Sequence, residues 1–164
     1  MALRKKIQVL LWLFIVGLFL SGVTAIPLPS EVDSLVRSFA SDPAHRTWLS
    51  SWLLTVQAGL ASTDANFPFL FYGTDWLAFG HFVIAIAFIG PIRDPVKNIW
   101  VIEFGIIASV LVIPFALIFG EVRGIPLPWR LIDCCFGLLG IFALGLAHSW
   151  IRKLGHADGQ ATPP

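Results

Sequence analysis

The chain has 164 residues, of which 57% are apolar and 13% charged, and its mean hydropathy is +0.82. A soluble domain carries about a quarter charged residues, and a globule of this size has too little interior for so much apolar surface, so a water-soluble fold and a disordered chain are both excluded. A net charge of +1 gives no basic field for nucleic acid, and the two cysteines are adjacent, which suits neither a disulfide framework nor a spaced zinc site.

In chain order, the first apolar run extends from Ile7 to Ile26, long enough for a span, which takes roughly 17–25 residues. Met1–Lys6 is basic, and Val23-Thr24-Ala25 has the small-residue pattern of a signal peptidase site. The run exceeds the usual signal core, so residues 1–26 are expected to stay as an anchor or uncleaved signal. Residues 27–74 form an external amphipathic segment. Ser30 and Asp33 resemble a capping box, followed by Val32, Leu35, Val36 and Phe39 at helical spacing. Asp42-Pro43 is expected to open a second helix, with Trp48, Leu49, Trp52, Leu53, Val56 and Leu60 on one side. Two short helices along the outer leaflet or over the bundle, or a partner-binding surface, fit this pattern.

Three further spans are expected at about Asp75–Ile92, Ile99–Gly120 and Leu131–Ile151, a core over 75–151, followed by a cytoplasmic tail at 152–164 that is expected to be loose after Gly155. Trp76, Trp100, Trp129 and Trp150 fall at the ends of these runs, where an amphipathic ring sits at headgroup level. Arg4, Lys5, Lys6, Arg93, Lys97, Arg152 and Lys153 lie in short flanks on one side, which places both termini in the cytoplasm if the first segment is retained. Ile-Pro-Leu-Pro occurs at Ile26–Pro29 and again at Ile125–Pro128, and reads as helix-start punctuation.

Ionisable groups at membrane depth are costly and mark functional candidates. Asp75, His81, Glu121, Arg123, Arg130 and Asp133 can converge on the outer half as a polar cluster, either as packing pairs or as a binding or proton-handling site. Asp133, Gly137, Gly140, Leu144, Ala147 and His148 share one helix face, and Gly105, Ala108, Ser109 and Ala116 form a small face on the third span. Glu103 either snorkels toward Lys97 or Arg93 or pairs with His148 on the inner side. Pro114 is expected to kink the third span. No nucleophile–base set, phosphate loop or metal-ligand spacing is present, so neither an enzyme nor a metal or other cofactor is expected.

Asp75 and His81 opening one span, with Arg130, Asp133 and Gly140 at the last, resemble the VanZ-like group of small bacterial membrane proteins. The likeness covers about half of the chain, and Gly137 stands where that pattern has Asn. It implies a compact four-span, envelope-associated protein. The expectation is an all-α, polytopic membrane helical bundle of the bacterial inner (plasma) membrane, with about four transmembrane helices. Its partners are the lipid bilayer and either other membrane proteins or further copies of itself. Two tasks compete: a non-catalytic bundle that supports or modulates other envelope components, and a small-solute or proton transporter that uses the outer polar pocket.

Overall fold

A computed structural model describes residues 2–42 and 46–160. Among them the chain is all-α, in the order α1 (Ala2–Ala25), α2 (Leu28–Phe39), α3 (Trp48–Asn66), a 3-10 turn (Pro68–Phe71), α4 (Tyr72–Ala87), α5 (Ile89–Arg93), α6 (Ile99–Val122) and α7 (Leu127–Gln160). Four helical stretches are long and apolar enough to cross a membrane: Ala2–Ala25, Pro68–Arg93, Ile99–Val122 and Leu127–His156. The α6 span is 22% buried, with Ile107, Phe115 and Ile118 all about 60% exposed. A water-soluble helix with this composition would bury that surface, because contiguous apolar patches beyond a few hundred Å² are rare in water.

The helix boundaries follow from proline and glycine chemistry. Both Ile-Pro-Leu-Pro copies behave alike: the leucine is the first helical residue, and the first proline's carbonyl accepts the amide four residues on, from Glu31 in one copy and Arg130 in the other. The second proline sits in the first turn, where its missing amide costs nothing. The expected Ser30 cap is therefore displaced. α2 starts at Leu28 with no side-chain cap, Ser30 lies inside the helix, and Asp33 instead accepts a 2.8 Å bond from Gln57 Nε2. The second external helix begins at Trp48 and not at Asp42, capped by Thr47 and Ser50 in a reciprocal pair. Pro43 and His45 lie outside the described residues.

Pro68 starts the turn that leads into α4, so the second span begins earlier than Asp75. Pro91 cannot donate to the carbonyl of Ala87, and the helix breaks at Phe88 between α4 and α5. α6 continues through Pro114 and ends at Val122, with Arg123 at its cap. Gly124 then takes φ +68°, its amide bonding Glu121 O and that of Ile125 bonding Gly120 O, a Schellman close that needs a residue without Cβ. α7 starts at Leu127 and passes through Gly155 to Gln160. The polar end expected to be loose is thus helical that far, since one interior glycine costs a helix only about 1 kcal/mol. Residues 161–164 lie outside the description.

The chain divides into two compact units, Met1–Gly17 with Ile84–Pro164, and Leu18–Val83. The first is built on the α6–α7 seam. A Cβ at Gly105 would stand 2.6 Å from Leu144 Cδ1, one at Gly137 would stand 2.6 Å from the carbonyl oxygen of Ser109, and one at Gly140 would overlap the Ser109 side chain. The small faces read from the sequence therefore meet here, and α1 joins them through buried Ile7, Leu11 and Ile15 and a Phe14–Phe88 ring pair at 4.8 Å. The second unit holds the α2–α3 hairpin. In it, Gly22 admits Phe82 and the carbonyl of Ala78 against the helix backbone, and Phe19 packs on Phe82 at 5.2 Å.

Candidate functional site

At the end of the first unit where α6 begins, Gln8 Nε2 donates to the carbonyl of Ile92 (3.2 Å), tying α1 to α5. Asn98 Nδ2 donates to the carbonyls of Gly90 and Asp94 and closes the hairpin between α5 and α6. The Asp94 carboxyl is held below the usual carboxylate range, first by the backbone amide of Lys97 (3.1 Å) and further by the charges of Lys97 and Arg4. Lys97 Nζ lies 3.6 Å from Asp94 Oδ2. Lys5, Lys6 and Trp150 line a common groove, and Val96 faces Gly155, where an added Cβ would meet it at ordinary van der Waals distance. The start of α1, the α5–α6 turn and the end of α7 thus share one basic end.

One helical turn inside that end, His148 Nε2 and Glu103 Oε1 meet at 3.2 Å across the α6–α7 seam. Of the two arrangements open to Glu103, the structure has this one, and Lys97 is turned to Asp94 instead. At the other end of the seam, the Schellman close folds α7 back so that Arg130 covers Gly120. Arg130 Nη1 reaches Glu121 Oε2 and lies 3.3 Å from the carbonyl oxygen of Leu117. The Arg130 side chain is 14% exposed against 73% for Glu121, and its Nε is buried without a partner among the described residues. Asp133, one turn further along α7, is half-buried and has no hydrogen-bond or ion-pair partner among those residues. Arg123 is exposed at the α6 cap.

Asp75 and His81 belong to the second unit, both on α4. Six residues apart, they stand about 120° from each other around the helix. Asp75 is exposed, and His81 Nδ1 lies 2.8 Å from the carbonyl of Leu77, where it can only donate. Of the six outer residues, then, Glu121 and Arg130 are brought into contact. Two surface grooves, one lined by Lys5, Lys6, Val9, Leu10, Leu13 and Trp150 and the other by Pro27 and α2 residues from Ser30 to Ser38, include none of the six. No group of three metal-ligating side chains occurs among the described residues.

Gln8 to Ile92 and Asp33 to Gln57 are among the polar contacts that were not anticipated from the residues alone. Gln8 carried a signal, as a lone amide in an apolar run must find a partner in lipid. No family model, curated protein or solved structure matches this chain.

Proposed function

We propose that this chain is a multi-pass protein of the bacterial inner membrane, both termini cytoplasmic, which serves as a non-catalytic helical bundle supporting other envelope components. One observation carries the reading: three ionisable side chains within the candidate spans are answered by another side chain or by their own helix, with Asp133 left as the exception. Glu103 takes His148, Arg130 takes Glu121, and His81 takes the Leu77 carbonyl. Such pairs fasten helices where lipid offers no hydrogen bonds. Convergence of the basic flanks at one end of the first unit supports the sidedness, because cytoplasmic flanks carry the Lys/Arg excess. Full burial of Ile7 and Leu11 supports retention of the first segment.

A cysteine placed at Ser62 in a Cys134→Ala/Cys135→Ala background should react with an impermeant maleimide added to intact cells, and one at Asn98 should not. The reverse pattern refutes the orientation. The unpaired, half-buried Asp133 favours a second reading, movement of a proton or small cation. In vesicles loaded with a pH dye, the bundle reading predicts proton influx equal to that of protein-free vesicles. An influx that Asp133→Asn abolishes would replace it with the transport reading.

A further inference from the structure

Along one flank of the first unit, α1 and Trp150 of α7 border an open, shallow surface groove whose wall is almost wholly apolar. Its lining is graded. Lys5 and Lys6 stand at the end of α1, then Val9 and Leu10, then Leu13, with the Trp150 ring from α7 beside them. From Lys6 to Leu13 the helix rises about 10 Å, nearly all of it apolar. Arg4, Arg152 and Lys153 surround the same end and are exposed. Two exposed lysines whose stems border the groove, aliphatic walls beyond them and an amphipathic ring beside them match a molecule with an anionic head and a hydrocarbon tail.

We propose that this groove binds one anionic phospholipid, its phosphate between Lys5 and Lys6 and the upper part of an acyl chain along Val9, Leu10 and Leu13. A neutral lipid fills the apolar part equally well, so the lysines are what select. Basic clefts between helices at the cytoplasmic face hold anionic headgroups in this way, and each lysine near such charge strengthens binding about fivefold. The site rests on the bilayer reading above, and places on that reading a lipid chosen by charge.

The purified full chain, held in neutral detergent micelles, is titrated with phosphatidylglycerol or with phosphatidylcholine of identical chains, and retained lipid is counted by native mass spectrometry. Phosphatidylglycerol should be retained preferentially. Lys5→Gln/Lys6→Gln should cut its retention about thirtyfold and leave phosphatidylcholine unchanged, and Trp150→Ala should weaken both lipids. Should the double variant fail to fold, each single lysine variant should show about a fivefold loss. Equal retention of the two lipids overturns the proposal. So does a preference that survives the lysine changes and falls only with Arg152→Gln/Lys153→Gln, which would mark general attraction to the basic end. Displacement of the lipid by glycerol phosphate alone would show that the acyl groove contributes nothing, with the same consequence. Micelles hold the chain whether or not its spans are correctly assigned, so failure here is distinct from failure of the topology labelling.

Discussion

The α6–α7 seam makes a quantitative prediction from two glycines on the same helix, eight residues apart. A Cβ at Gly137 would stand 2.6 Å from the carbonyl oxygen of Ser109, 3.2 Å from Ile113 Cγ1 and 3.4 Å from Val112 Cβ. The closest of these is backbone and cannot rotate away, so Gly137→Ala must push the helices apart. A gap of 0.5–1 Å forfeits roughly a quarter to a half of each dispersion contact along it, and overpacking of this kind costs about 1–3 kcal/mol. Alanine returns up to about 1 kcal/mol in helix propensity, which leaves a net loss of about 2 kcal/mol at the upper end of the overpacking range. At Gly145 a Cβ meets nothing within 4 Å, so Gly145→Ala keeps only the propensity gain of up to about 1 kcal/mol. The two variants should therefore move in opposite directions when unfolded by SDS from mixed micelles and followed by tryptophan fluorescence. Shifts of the same sign and size would refute the close approach of α6 to α7 at Gly137.

Other predictions concern the polar contacts. A double-mutant cycle on Glu103→Gln and His148→Gln should return a coupling of about 0.6 kcal/mol, the usual size of an interhelical hydrogen bond in a membrane protein; a coupling indistinguishable from zero removes the pair. Glu121→Gln should cost less than about 1 kcal/mol, because that carboxylate is mostly exposed, whereas Arg130→Ala should cost more, since the arginine stem covers Gly120. Equal costs in the same unfolding assay would contradict this. Because the Asp94 carboxyl titrates lower in the folded chain, its contribution to stability is complete above the ordinary carboxylate value of about 3.9 and disappears as pH falls through the lowered one. Asp94→Ala should thus unfold more readily than wild type at neutral pH and converge with it in acid. A difference that persists or grows in acid would reverse the assignment.

The spans were legible because length and apolarity at this scale leave few alternatives, and the seam was legible because Gly105, Ser109, Gly137 and Gly140 repeat on two helix faces. Partner choice was harder to read. Arg130 had more than one carboxylate in prospect, and its pairing with Glu121 in place of Asp133 is decided by the Schellman close at Gly124, which returns α7 directly over Gly120. Whether a Ser or Thr caps a helix was equally local: α2 starts at Leu28, before Ser30 can act, while Thr47 with Ser50 does the work expected of Asp42. The fate of Glu103 turned on how α6 rotates against α7, which spacing along a single helix cannot fix.

Hydrocarbon must cover the outward faces of α6 and α7 if these helices cross a membrane. Spin labels at Ile107 and Phe142, which are 60% and 73% exposed, report this directly in reconstituted vesicles of a Cys134→Ala/Cys135→Ala chain, with a label at fully buried Leu144 as the inward reference. Labels at Ile107 and Phe142 should collide freely with dissolved oxygen and be shielded from a water-soluble nickel chelate. Ready collision of both with the chelate would place those faces in water and contradict the reading of α6 and α7 as membrane spans.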